Sequence, residues 1–176
     1  MAKLDDFENS SVVWENKVLP SGEYKFELVK TNSKETKSGF KQYTLQLKCV
    51  EGEYKGSSIF PTMLNGWHTE KGSGSHIYML RALLRVIVAA NIDDTKLKKF
   101  YKEIFASDIE VQDFFIEILE SNILQGYEFP LSIIKKKGQS YIDKNGNEQE
   151  GRDYYEMVLD KTVEEKAKSI INSALN

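Results

Sequence analysis

The chain has 176 residues, 40% of them apolar and 29% charged, with a net charge of −3, the balance of one globular domain that buries a real core. No apolar run approaches the roughly 18 residues of a membrane span, and the first residues have no apolar stretch before a cleavage site, so neither a span nor a secretory leader is expected. Cys49 is the single cysteine, which excludes an intrachain disulfide and a cysteine-cluster metal site and fits a cytoplasmic setting.

Residues 1–18 read as an irregular arm with one apolar anchor at Val12, Val13 and Trp14. From Glu23 to Thr31 apolar and polar residues alternate, with Tyr24, Phe26 and Leu28 on one face and Lys25, Glu27 and Val29 on the other, a strand pattern. Lys34 to Gly39 is a turn by composition. A second strand follows from Gln42 to Val50, with Tyr43, Leu45, Leu47 and Cys49 inward. A third strand runs from Ser57 to Leu64, where Pro61 lacks an N–H and predicts an edge or a bulge. Asn65 to Ser75 is a polar, glycine-rich loop carrying Trp67 and His68.

Ser75 is a candidate N-cap for a helix to about Ala90 with a stripe at Ile77, Leu80, Leu84 and Val88. Asp93 or Asp94 caps a second helix, and Ser107 with Glu110 forms a capping-box pattern opening a third. Gly126 to Ile134 returns to strand, and Asp143-Lys-Asn-Gly146 is the tip of a polar hairpin. Arg152 to Leu159 is the last strand, and residues 162–175 form an amphipathic helix that packs either on its own barrel or on another subunit, leaving a homodimer open. Three strands, a helical insertion over 75–124, two strands and a C-terminal helix predict a mainly β, α+β chain: an OB-like five-stranded barrel with helices between strands 3 and 4.

The charge is uneven. Lys30, Lys34, Lys37 and Lys41 stand on the first hairpin against Glu35 alone, and Lys135, Lys136 and Lys137 end the fourth strand. The acids gather in the helical insertion, including Asp93, Glu103, Asp108 and Glu117. Local field rather than total charge decides where a polyanion docks, although on composition alone a solvated lysine-rich hairpin is the plainer reading. Phe40 and Phe60 fall out of phase with the core, and Trp67 lies in a polar loop, which makes them candidate stacking platforms for unpaired bases, with Tyr141 and Tyr154 behind them. Tyr43 belongs to the core by phase. His68 and His76 have no zinc-site spacing, no phosphate-cradling loop or serine elbow is present, and strand alternation explains both Glu-Tyr-Lys repeats, so no enzyme, cofactor or metal site is expected.

At Leu19-Pro-Ser-Gly-Glu-Tyr-Lys, Lys34-Glu-Thr-Lys-Ser-Gly, Gly52-Glu-Tyr-Lys-Gly and Ile59-Phe60 the chain resembles phage-encoded single-stranded DNA-binding proteins, across roughly its first half. The hairpin Tyr141-Ile-Asp-Lys-Asn-Gly-Asn-Glu is similar to their final one. The resemblance implies an OB-fold core, single-stranded DNA as partner, and a place beside phage replication or recombination proteins. Many such proteins end in an acidic tail, whereas this chain ends in a helix of mixed charge, so recruitment through a tail is not implied. The expected interface is Lys30, Lys34, Lys37, Phe40, Lys41, Phe60, Trp67, Lys135, Lys137, Tyr141 and Tyr154. The competing expectation is a protein-interaction module, a replication accessory or an inhibitor of a host factor, using the acidic helical block. A metal-dependent nuclease is a third and weaker reading.

Overall fold

The structure is a computed structural model that describes residues 18–35, 37, 39, 41–65, 73–106 and 117–175, without the side chains at 41, 63–65, 73–77 and 106. Residues 1–17 of the N-terminal arm, Phe40, Trp67 and the Ser107 capping box lie outside the described residues.

The alternating segments form β1 (Gly22–Glu35), β2 (Lys41–Cys49), β3 (Ser58–Ile59), β4 (Thr62–Asn65), β5 (Glu128–Lys137), β6 (Tyr141–Ile142), β7 (Glu148–Gln149) and β8 (Asp153–Met157). The third strand foreseen as continuous is β3 and β4 in series. They are separated at Phe60-Pro61, yet both pair with β2, and the Leu45 N–H still donates to the Pro61 carbonyl at 2.9 Å. Counting them as one, the strands run third–β2–β1–β5–β8, every ladder antiparallel, in a five-stranded, nearly closed barrel. With its helices it is an OB-like α+β fold.

Residues of one phase line the interior because side chains alternate across a strand. Phe26, Leu28, Tyr43, Leu45, Leu47, Cys49, Ile59, Phe129, Leu131 and Ile133 are all buried. The Tyr43 hydroxyl, carried inward with its ring, donates to Glu120 Oε1 at 2.7 Å. Cys49 is part of this core.

Between the third strand and β5 lie α1 (Ser73–Ala90) and α2 (Thr95–Ala106), followed by helical residues 117–120. Asp94 caps α2 by accepting the Leu97 N–H at 2.8 Å, the cap expected of an aspartate there. The helix α3 (Lys161–Leu175) is capped in the same way, by Asp160 accepting the Val163 N–H at 2.9 Å. Among the described residues α3 packs on α1 of its own chain, burying Ala167 and Ile171. Helix α1 is buried on more than one side, at Leu80, Leu83, Leu84, Val86, Ile87 and Val88, because it lies between the sheet and the other helices. A single stripe therefore understates it.

Arg85 of α1 ties the helical layer together. Its guanidinium donates to the Tyr101 hydroxyl, lies 4.3 Å from the Phe105 ring centre and pairs with Glu164 of α3.

The hairpin β6–β7 pairs only with itself among the described residues. Gly146 turns its tip with φ 78°, a left-handed conformation that suits glycine. At its base the Gly138 N–H donates to the Arg152 carbonyl at 3.0 Å. The two strands cross so closely there that a Cβ on Gly151 would lie 2.3 Å from the Gly138 carbonyl carbon. Only two glycines permit that approach.

Candidate nucleic-acid interface

Continued alternation from Tyr24, Phe26 and Leu28 would turn Lys30, Asn32 and Lys34 into the barrel. The ladder between β1 and β2 prevents this, because its register shifts between Leu28 and Lys30. A bulge inserts one residue and re-aims everything after it. Beyond it Lys30 faces Gln46, Asn32 faces Thr44 and Lys34 faces Gln42, all on the outer phase of β2, and the three β1 residues are exposed. Val29, expected on the outer face, is the residue the shift absorbs.

The outer phase continues across the sheet. Leu47 pairs with Ile59 and Leu45 bonds to Pro61, which places Phe60 beside Gln46. Ile59 and Pro61 are buried while Phe60 is 53% exposed. Lys30, Gln46 and Phe60 thus form one row from β1 to the third strand, with Asn32, Thr44 and Thr62 as the next row. None of the ion pairs among the described residues involves Lys30, Lys34 or Lys37.

The lysines on β5 are placed differently. Lys135 meets Asp153 at 3.4 Å, Lys136 meets Glu156 at 2.8 Å and Lys137 meets Glu150 at 3.6 Å. The Glu156 carboxylate, as hydrogen-bond partner and as charge, raises the Lys136 pKa. Each cation has an acid on the strand or hairpin beside it, so this stretch adds little net positive field.

Tyr154 of β8 is 46% exposed and stands opposite Lys136. Phe60 and Tyr154 line one cleft, which runs between the third strand and β8. Tyr141 is 56% exposed on the separate β6–β7 hairpin. Beside it Ile142 is 74% exposed, and Tyr78 is 68% exposed on α1. Neither stands out in the sequence, where Ile142 falls in a polar hairpin and Tyr78 sits off the apolar stripe. The structure therefore brings Lys30, Lys34 and Phe60 onto one face and sets Tyr154 across the cleft. The side chain of Lys41, with Phe40 and Trp67, lies outside the described residues.

The hairpin tip is rigidly bonded. Asp143 accepts the backbone N–H groups of Asn145 and Asn147, each at 2.9 Å, and the Gln149 side-chain amide at 3.0 Å. The Asn147 amide, followed by Gln149, holds the Asp143 carboxyl below its usual range. Among the described residues no three His, Cys, Asp or Glu side chains group as metal ligands would, and no helix is long and apolar enough to cross a membrane.

A family model described as a protein of unknown function, DUF669, matches residues 5–112. The chain belongs to the DUF669 family. The DUF669 match takes in β1 to β4, α1 and α2, and so contains the bulge, the Lys30–Gln46–Phe60 row and one wall of the cleft. The strands β5 and β8 and helix α3, which supply the opposite wall and the paired lysines, lie beyond it. No curated protein matches the chain.

Proposed function

We propose that the barrel binds single-stranded DNA with little sequence preference, as a non-enzymatic component of phage DNA replication or recombination. The observation that carries this reading is the row of Lys30, Gln46 and Phe60 across the outer face. Cations at one end meet phosphates, an amide in the middle offers hydrogen bonds to base edges, and an exposed ring at the other end offers a stacking surface. Lys34 and Lys37 extend the cationic end along the hairpin, while Tyr154 supplies a second ring beyond the cleft. The β5 lysines contribute less, since a phosphate competes there with carboxylates already in place.

Anisotropy of labelled oligo-dT, titrated with protein at several salt concentrations, tests the proposal. Affinity should fall steeply with salt, by a logarithmic slope of about 0.7 per phosphate contact. A Phe60→Ala/Lys34→Gln variant should retain its fold and bind far more weakly. Undetectable binding at low salt would sink the reading.

A further inference from the structure

The strand directions leave the barrel with one parallel seam. The third strand is antiparallel to β2, which is antiparallel to β1, and β8 reaches β1 through β5 by two further antiparallel steps. The third strand and β8 therefore run parallel to each other. They do not pair among the described residues, and a cleft of about 820 Å³ lies between them.

Both walls turn main-chain groups into this cleft. The Val158 N–H donates to the Ser132 carbonyl at 2.9 Å, and Glu156 and Tyr154 share its phase in the ladder with β5. In an antiparallel strand alternate residues bond to opposite sides, so Tyr155 and Met157 face the cleft. On the other wall the Ser57 and Pro61 carbonyls accept from Cys49 and Leu45 of β2 at 2.8 and 2.9 Å. Phe60 accordingly faces the cleft. One strand laid between the walls would be antiparallel to both and would close an all-antiparallel six-stranded barrel, which five strands cannot do.

We propose that this seam captures an extended peptide of a partner protein as an added strand, with apolar and basic side chains in alternation. The floor calls for the apolar half of the pattern, since Ile59 and Met157 are buried beneath the cleft and Leu159 is partly buried. The rim calls for the basic half. Asp153, Glu156 and Asp160 line it, and among the described residues no lysine, arginine or histidine does. Lys135 and Lys136 reach Asp153 and Glu156 from the β5 side, but with side chains a third to half exposed. Such pairs are water-screened and yield readily to a better-placed cation. A polyanion would meet three carboxylates here, so the seam and the Lys30–Lys34 face suit partners of opposite charge. Phe60 and Tyr154 border both surfaces, so a seated peptide and a stacked DNA strand would compete for these two rings.

The test uses the full chain and the peptide acetyl-Lys-Val-Lys-Val-Lys-Val-Lys-amide, with two controls: glutamate in place of lysine, and proline in place of the central valine. Binding is followed by anisotropy and by amide exchange. The lysine peptide should bind and protect the Tyr155 and Met157 amides, the glutamate peptide should bind at least about tenfold more weakly, and the proline peptide should fail to protect. Asp153→Asn/Glu156→Gln, two exposed changes that leave the ladder intact, should weaken the lysine peptide by about tenfold or more. Three results overturn the proposal: no peptide binding, equal binding of both charge types, or protection of the same amides by self-association without peptide.

Discussion

Phe60 and Lys34 share one face of the barrel but would report on different forces. Phe60→Ala removes an exposed ring, so it should leave the melting temperature nearly unchanged while costing about 1–3 kcal/mol of oligo-dT affinity, the value of one stacked base. Lys34→Gln should instead lower the logarithmic salt slope by about 0.7, with little effect at high salt. Equal slopes for variant and parent would remove Lys34 from the interface. Tyr43→Phe makes the opposite contrast. It deletes the hydroxyl that reaches Glu120 from the core, and should cost about 1 kcal/mol of stability by denaturant titration with DNA affinity unaltered. At the hairpin tip, Asp143 has a folded pKa held below the unfolded one by the Asn147 amide and Gln149. Its contribution to tip order is therefore present above the ordinary carboxylate range and is lost as pH falls through the lower folded value. Amide resonances of Asn145 and Asn147 should move in that acid window while those of the barrel core stay in place.

Among elements, β1 decides the character of the interface through a single irregularity. Deleting Val29 removes the extra residue of the bulge and sets Lys30 directly after Leu28, in regular alternation with Lys30, Asn32 and Lys34 still on the outer phase. The variant should fold and keep its oligo-dT affinity, and loss of binding in a stable variant would show that the outward phase of β1 is not sufficient for the interface. Arg85→Ala should cost about 2–3 kcal/mol, because it leaves Glu164 without its partner and removes a cation from the Phe105 ring. A thermal melt checks this. The same elements mark what sequence can tell. The inward phase of Tyr43, Leu45, Leu47 and Cys49 was legible, since period-2 alternation needs nothing beyond neighbours. So was a cap at Asp93 or Asp94, which the structure places on Asp94. The bulge was not, since Val29 is a β-branched residue that sits comfortably in a regular strand and only the partner register exposes the shift. Nor were the ion pairs of Lys135, Lys136 and Lys137 legible, because their acids come from beyond a hairpin whose pairing offset the sequence leaves open.

At the scale of the whole molecule, a net charge of −3 coexists with a face on which Lys30 and Lys34 have no acidic neighbour in ion-pair contact among the described residues. Steering by that face depends on local field, so oligo-dT association should slow as salt rises even though protein and ligand carry net charge of the same sign. The barrel order was foreseen from three strands, helices, two strands and a helix, whereas the width of its seam depends on how far the third strand and β8 curl toward each other, which no local pattern records. The glycine crossing at 138 and 151 bears on how the molecule tolerates change. Contact of backbone on backbone sets the direction in which the β6–β7 hairpin leaves the barrel, and that contact is indifferent to the residues further out. A peptide tag or a small guest domain spliced between Lys144 and Asn145 should therefore leave the host melting temperature nearly unchanged, whereas Gly151→Val, far smaller as an edit, should lower it. The hairpin is a natural graft point.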